Sequence, residues 1–354
     1  MKGQYLLPAA LLLALAGCRS AGIQELDCPV VLETPVSPVP GFSLVGGTTS
    51  PFLAYVDRDS RALVLAAVDG SSPPAYLDRI TDLPEQDLLS GAHVLFATED
   101  DLHLLYLDRQ SEESLVLKHV RKSMKSGNTW IDVLPVSGKP VAAFATAGGL
   151  DMFLERDQAL YREGPQAGLV RTPFASEAPA CRFTSDAFQG FTIYDTAARR
   201  LLLFLLRGQE LETLEVARFG QAQDSAVDAE GRLQILAYDP RSFRILLYQS
   251  ADPASGFEIQ PVTLSRGTSS LALVRLPGGP GFLFNEISAR GQPRYQVSLL
   301  HFSPAQGYLK TVLYLSERPA AALRAVPTRE ALFVALLEEN LRVLRVEYDA
   351  LRKR

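Results

Sequence analysis

Short apolar segments recur along the chain, and polar turns separate them. The clearest example follows Ile193, where the turn DTAARR precedes six apolar residues, Leu201 to Leu206. Six residues are too few for a membrane-spanning helix, which needs about 20. They also lack the alternation expected of a strand with one solvated face. The pattern therefore predicts a β-strand that is buried on both faces.

Seven units of this kind follow one another. Each contains an apolar strand, a turn, a second strand that ends in an aromatic residue or Leu, a charged turn, and a third strand. Matching positions on the second strands lie 40 to 53 residues apart, at Tyr55, Tyr106, Phe153, Ile193, Ala237, Leu283 and Leu336. A four-stranded propeller blade needs about 40 to 50 residues. The chain is therefore predicted to be all-β, a seven-bladed β-propeller.

The two ends of the repeat array differ from the units between them. The last unit, from Arg329, also fits an amphipathic helix because it is rich in Ala, Leu and Glu, but its register with the six preceding units favours strands. This unit stops after its third strand, near Tyr348, whereas an additional apolar segment, CPVVLET, starts at Cys28. We expect residues 28–34 to supply the missing fourth strand, so that the propeller spans residues 28–354.

The repeats resemble bacterial β-propeller repeats in general. The unit AVDAEGRLQILAYDPRSFRILLYQS, from Ala226, is similar to an NHL-type repeat. Quinoprotein-type repeats carry recurring Trp residues and WD-type repeats carry Gly-His and Trp-Asp pairs, whereas this chain has a single Trp, Trp130. The resemblance therefore implies a propeller but assigns no specific propeller family.

The first twenty residues have the layout of a secretory signal: Lys2, an apolar stretch from Tyr5 to Ala16, then small residues. The sequence Leu15-Ala16-Gly17-Cys18 resembles the lipobox of bacterial lipoproteins. This resemblance implies export, a diacylglycerol on the sulfur of Cys18, cleavage before Cys18 and acylation of the new amine. Two or more acyl chains anchor a protein stably in a membrane. An ordinary cleaved signal, with Cys18 incidental, is the alternative.

The expected organisation is a signal peptide at residues 1–17, a lipidated tether at 18–27 and the propeller at 28–354. Arg19 stands where many lipoproteins retained in the inner membrane carry Asp, so the resemblance points to the outer membrane. The protein is then expected in the bacterial cell envelope, facing the periplasm or the cell surface.

The two remaining cysteines, Cys28 and Cys181, would face an oxidising compartment. A disulfide between them is one possibility, and two buried unpaired thiols are the other. Neither thiol has a nearby His in the sequence that would suggest a nucleophile.

Composition excludes one class of partner. The chain of 354 residues has 35 basic and 40 acidic residues and no basic stripe. Nucleic-acid binding requires concentrated Lys and Arg, so no nucleic-acid partner is expected. The densest basic segment, KHVRKSMKSGNTW from Lys118, could contact anionic lipid or glycan, or could be a solvated hairpin.

Candidate chemistry is sparse. The chain has four histidines, His93, His103, His119 and His301. No two of them have the close spacing that is typical of zinc sites. Carboxylates at Asp100 and Asp101, and at Asp224 and Asp228, are expected at inner hairpins. Calcium needs six or more oxygen ligands, so these carboxylates are interpreted as solvated turns and not as a calcium site. No catalytic motif is present, so the catalytic residues are unknown and neither a metal nor another cofactor is expected.

We therefore expect a membrane-anchored binding or scaffold module that presents a loop-lined face to a protein or an envelope polymer. The alternative is a hydrolase or lyase with a metal or carboxylate site at the mouth of the central channel. Fold alone does not choose between a binding protein and an enzyme.

Overall fold

A computed structural model shows a seven-bladed β-propeller. The structure describes residues 24–36, 41–46, 50–68, 75–79, 92–111, 114–146, 148–164, 166–176, 180–186, 188–288, 291–303 and 307–352. Within these ranges seven sheets, each with four antiparallel strands, follow one another around a ring, and each sheet is one blade. The sequence prediction of an all-β, seven-bladed propeller is therefore confirmed. In the described ranges, no helix has the length and apolar character needed to cross a bilayer.

Two strands precede the first complete blade, β1 (Gln24–Glu25) and β2 (Val30–Pro35). Blades I to III then take four consecutive strands each, counted from the channel outward. Blade I consists of β3 (Phe42–Val45), β4 (Phe52–Val56), β5 (Ala62–Ala67) and β6 (Ala75–Arg79), and blade II of β7 (His93–Ala97), β8 (Asp101–Ser111), β9 (Ser114–Ser123) and β10 (Thr129–Leu134). Blade III consists of β11 (Lys139–Thr146), β12 (Gly149–Arg156), β13 (Ala159–Glu163) and β14 (Gly168–Arg171).

Blades IV to VI follow the same order. Blade IV consists of β15 (Cys181–Thr184), β16 (Gln189–Asp195), β17 (Arg200–Arg207) and β18 (Glu210–Ala217), and blade V of β19 (Gln223–Val227), β20 (Leu233–Asp239), β21 (Arg244–Ser250) and β22 (Glu258–Leu264). Blade VI consists of β23 (Leu271–Leu276), β24 (Gly279–Ile287), β25 (Tyr295–Ser303) and β26 (Gly307–Ser316). Blade VII takes three strands from the end of the chain: β27 (Ala322–Pro327), β28 (Ala331–Leu337) and β29 (Asn340–Glu347). The seven positions that marked the repeats all lie on the second strands of their blades.

The fourth strand of blade VII is β2, from the other end of the chain. It pairs antiparallel with β29, from Val30 opposite Leu344 to Pro35 opposite Asn340. The Arg342 guanidinium also donates to the Glu33 carboxylate at 2.8 Å. This pairing joins the two chain ends within one sheet and covers the outer edge of β29, which would otherwise be open to other strands.

The segment before β2 is held on blade VI. Strand β1 pairs in parallel with β26, with Gln24 opposite Thr311, so this sheet has five strands. Residues 24–27 of the expected tether therefore lie along the propeller. The expected signal peptide, the lipobox Leu15-Ala16-Gly17-Cys18 and the rest of the tether lie outside the described residues.

Strand β17 explains why six apolar residues follow one another. Leu201, Leu203 and Leu205 pack towards blade V, against Leu233 and Ile235. Alternate residues of the same strand, Leu202, Phe204 and Leu206, pack towards blade III with Phe144 and Phe153. All six side chains are at most 2% exposed. Each blade is sandwiched between two others, so both faces of its middle strands are apolar.

The last unit forms strands, as its register predicted. Residues from Ala331 to Glu347 make β28 and β29, and only Tyr348–Arg352 forms a short helix, α1. Strand β28 is buried along its whole length. Burial between neighbouring blades thus overrides the local helix propensity of its Ala and Leu residues.

Candidate functional site

A groove opens on the propeller between blades IV and V. Its volume is 710 Å³. The groove is lined by the turns that join the second and third strands of these blades and by the interblade loops at residues 218–222 and 265–270. Four arginines and three aromatic residues contribute to its wall: Arg199, Arg200, Arg218, Arg241, Tyr194, Phe219 and Tyr238. We refer to it as the arginine groove.

A repeated six-residue turn places two of these arginines. Asp195 Oδ1 accepts hydrogen bonds from the backbone N–H groups of Ala197 and Ala198, at 3.1 and 3.3 Å. Four residues after the aspartate, Arg199 has a φ of 54°, in the left-handed region. Aspartate favours such turns because its short side chain caps the backbone.

Blade V repeats this geometry. Asp239 Oδ1 accepts from the Arg241 backbone N–H at 3.0 Å, and Phe243 has a φ of 55°. Blade I has the same turn, with Asp57 bonded to the Ser60 N–H at 2.7 Å. The turn is thus a structural repeat of the propeller, and in blades IV and V it carries arginine at the groove.

The groove has an unbalanced positive charge. Among the residues that the structure describes, no acidic residue lines the groove. Outside the lining, Glu215 forms an ion pair with Arg200 and lies 3.8 Å from Arg218. In the described part of the chain, no carboxylate lies within 4 Å of the guanidinium groups of Arg199 or Arg241. These two cations remain available to a ligand.

The aromatic residues give the groove an apolar component. Tyr238 is buried at 7% exposure, and burial raises the pKa of its phenol. Tyr194 and Phe219 are half-buried. Arginine beside aromatic rings suits ligands that combine anionic groups with flat or ring-shaped surfaces.

The basic segment singled out in the sequence lies elsewhere, on the outer hairpin of blade II. Much of its charge is compensated there. Lys118 Nζ is 2.8 Å from Asp108 Oδ2, and Lys125 pairs with Asp100. Arg121 stacks over Trp130, 4.7 Å from the ring centroid. The arginine groove is therefore the better anion site, although sequence reasoning missed it.

The histidines lie on strands, and one pair meets across blade II. His103 Nδ1 and His119 Nε2 are 3.0 Å apart. Burial, with the nearby His119, lowers the pKa of His103 to about 4. His301 is separate, with Nε2 at 3.3 Å from Thr311 Oγ1. Within the described ranges, no group of three or more His, Cys, Asp or Glu side chains is placed to hold a metal ion.

The candidate carboxylates do not come together. Asp224 lies on the innermost strand of blade V, where its oxygens accept from the backbone N–H groups of Ser225 and Leu273, at 2.9 and 2.8 Å. Asp228 lies in the following hairpin, and Arg232 Nε donates to its Oδ2 at 2.8 Å. These carboxylates stabilise strands and turns.

Of the two possibilities stated for Cys28 and Cys181, the structure has the unpaired one, because both are free thiols. Cys28 precedes β2 and packs against the core between blades VI and VII. Cys181 starts the innermost strand of blade IV, where the Gln223 amide donates to its sulfur at 3.2 Å. Burial raises the pKa of the Cys181 thiol to about 12. The two residues thus belong to different parts of the ring.

Comparisons with known proteins support the fold. No protein-family model matches the chain, and comparison with curated proteins gave no match. Among solved structures, YCF48 bound to D1 peptide has a TM-score of 0.53 at 13% identity, covering 92% of this chain and 98% of that one. The phage phi92 endosialidase has a TM-score of 0.50 at 10% identity, covering 92% and 68%.

An ancestral GH74 enzyme has a TM-score of 0.56 at 9% identity, covering 89% of this chain. The present chain spans about half of that enzyme, 48% of its length. At these identities the similarity shows the propeller fold and nothing finer. Binding proteins and enzymes both share this fold, so function has to be argued from the site.

Proposed function

We propose that the protein is a lipid-anchored binding module of a bacterial cell envelope, and that its arginine groove holds an acidic envelope polymer. The observation that carries the proposal is the pair of arginines, Arg199 and Arg241, without carboxylate partners among the described residues. They line a groove of 710 Å³ that also presents aromatic side chains. The protein as a whole has a net charge of -5, so this positive surface is a local feature.

The chemistry of the groove selects the class of ligand. Guanidinium groups bind carboxylates through paired, charge-assisted hydrogen bonds. The rings of Tyr194 and Phe219 add stacking surface for sugar rings. A polysaccharide with carboxylate groups satisfies both features.

The lipobox supplies the second half of the proposal. Acyl chains on Cys18 would hold the protein at a membrane, and Arg19 favours the outer membrane, with the propeller in the periplasm or at the cell surface. Six residue steps separate Cys18 from Gln24, and they span at most about 20 Å when extended. Since Gln24 is paired with blade VI, the propeller would sit against the bilayer.

A binding assay tests the groove. We expect purified protein to bind an oligogalacturonate, with weak binding of a neutral oligosaccharide of equal length. Replacing both free cations, Arg199→Gln with Arg241→Gln, should weaken binding by about 10- to 100-fold, because two charge-assisted contacts are lost. The matched control is Arg275→Gln with Arg329→Gln, which removes the same charge from two exposed residues, Arg275 near the end of β23 and Arg329 in the hairpin between β27 and β28.

The outcomes separate the alternatives. Equal weakening in both double variants would show a general charge effect and contradict a groove site. Tighter binding of an oligoglutamate peptide than of the acidic sugar would replace the polymer with an acidic protein segment. Shortening of the oligogalacturonate during the assay would show that the protein is a hydrolase or a lyase.

A further inference from the structure

A second cavity lies in the central channel of the propeller, separate from the arginine groove. Its volume is 240 Å³. The innermost strands of six blades contribute to its wall, including the ionisable residues His93, Cys181, Arg182, Asp224 and Arg324. We refer to it as the channel pocket. At about 30 Å³ per water molecule, it has room for about eight waters or one small organic ion.

Arg182 lines this pocket, and its guanidinium packs against two aromatic rings that are not part of the pocket lining. Its guanidinium carbon is 4.4 Å from the ring centroid of Phe96 and 4.6 Å from that of Phe144. Both rings are 1% exposed, and they belong to the innermost strands of blades II and III. The rings fix the orientation of the guanidinium and remove water from its faces.

Arg182 is half-buried as a residue, and its guanidinium lacks an anionic partner among the described residues. Its Nε is buried without a hydrogen-bond acceptor among the described residues. No carboxylate in the described ranges lies within 4 Å of it. Burial without a compensating anion lowers the pKa of Arg182 to about 9, so the side chain is still charged at neutral pH. A charged side chain with a buried, unpaired N–H donor destabilises the folded protein unless a ligand accepts its hydrogen bond and balances its charge.

Arg324 provides a second cation on the wall of the same pocket. Its Nη1 donates to the Leu323 carbonyl at 3.0 Å, and no carboxylate in the described part of the chain is within 4 Å. The acid of the pocket, Asp224, is already bonded to two backbone N–H groups, those of Ser225 and Leu273. The pocket thus holds two guanidinium groups with no carboxylate within 4 Å in the described ranges. Burial raises the pKa of Asp224, and the longer-range attraction of Arg324 opposes this rise.

We propose that the channel pocket is a binding site for a small oxyanion, a carboxylate or a phosphate, which accepts hydrogen bonds from the guanidinium groups of Arg182 and Arg324. Both anions present coplanar oxygen pairs to a guanidinium. The ligand would contact the innermost strands of several blades at once and would thereby stabilise the packing of the blades around the central channel. This site is independent of the arginine groove, since the two share no lining residue.

Calorimetric titration of the purified protein with phosphate and, separately, with malonate tests this site and distinguishes the two sources of the oxyanion. We expect saturable binding of one ion per chain for at least one of them, and none for chloride. Arg182→Gln and Arg324→Gln should each weaken it by at least about tenfold, because each removes a charge-assisted contact. The matched control is Arg275→Gln, on the innermost strand β23 but outside the pocket.

Circular dichroism checks that each variant is folded, and Arg324→Gln decides the question if Arg182→Gln does not fold. Three results would overturn the proposal: no binding of either oxyanion at about 10 mM, binding unchanged in a folded Arg324→Gln variant, or equal weakening by Arg275→Gln. The double variant Arg199→Gln with Arg241→Gln should bind the small oxyanion normally, so failure of one site does not imply failure of the other.

Discussion

At the level of single residues, Gly190 shows how closely the strands of a blade approach neighbouring groups. A Cβ atom at this position would lie 2.1 Å from the Phe204 carbonyl oxygen and 2.8 Å from Phe183 Cζ. The carbonyl belongs to the backbone of β17 and cannot move without disturbing the sheet. The absence of a side chain at Gly190 is therefore a requirement of blade IV.

Gly190→Ala should lower the free energy of unfolding by about 2–3 kcal/mol, because the added methyl group overpacks a buried position. Urea denaturation measures this loss. Gly168→Ala is the matched control, since a Cβ there has no neighbour within 4 Å, and it should change stability by less than about 0.5 kcal/mol. Equal effects of the two substitutions would contradict the close approach at Gly190.

Among the elements of the fold, strand β2 closes the ring. It covers the outer edge of β29 and connects the start of the propeller to its end. Strand β1 differs, because its two residues add only a short parallel edge to a blade that already has four strands. The two N-terminal strands should therefore contribute very differently to stability.

Deletion of residues 28–34 should lower the melting temperature of the whole domain in a single cooperative transition, by at least about 5 °C. The physical reason is the loss of the contact that joins blade VII to the start of the chain. Truncation that removes only residues before Leu26, which itself packs against the core, serves as the control and should leave the melting temperature nearly unchanged. An unchanged melting temperature after the first deletion would rule out closure by β2.

The strands of the propeller could be predicted because a strand that is buried on both faces is a continuous apolar segment of the sequence. Leu201 to Leu206 are continuous and apolar since blades III and V cover opposite faces of β17. The residues of the candidate sites form no continuous segment of this kind. Arg199 and Arg241 come from turns of different blades, and Arg182 meets Phe96 and Phe144 only after the ring closes. Arginine at equivalent Asp-initiated turns of successive repeats was the available signal for the groove.

The whole molecule, as we propose it, combines a membrane anchor with a ligand face. Cys18→Ala should abolish incorporation of a radiolabelled fatty acid and release the protein from the membrane fraction, because no acyl chain can be attached. Cys28→Ala is the control and should retain both the label and membrane association. Label that persists in the Cys18→Ala protein would show that the lipobox is not the site of acylation.

The function proposed for the molecule depends on one face of the ring, where the arginine groove opens. Hydrogen–deuterium exchange with and without a saturating acidic oligosaccharide locates the ligand on the folded protein. The expected result is slower exchange at the groove, in residues 196–199, 218–222 and 240–243, with no change at the first hairpins of blades V and VI, in residues 228–231 and 277–278. Slower exchange confined to those hairpins, or no change at any of these segments, would contradict an acidic-polymer site in the groove.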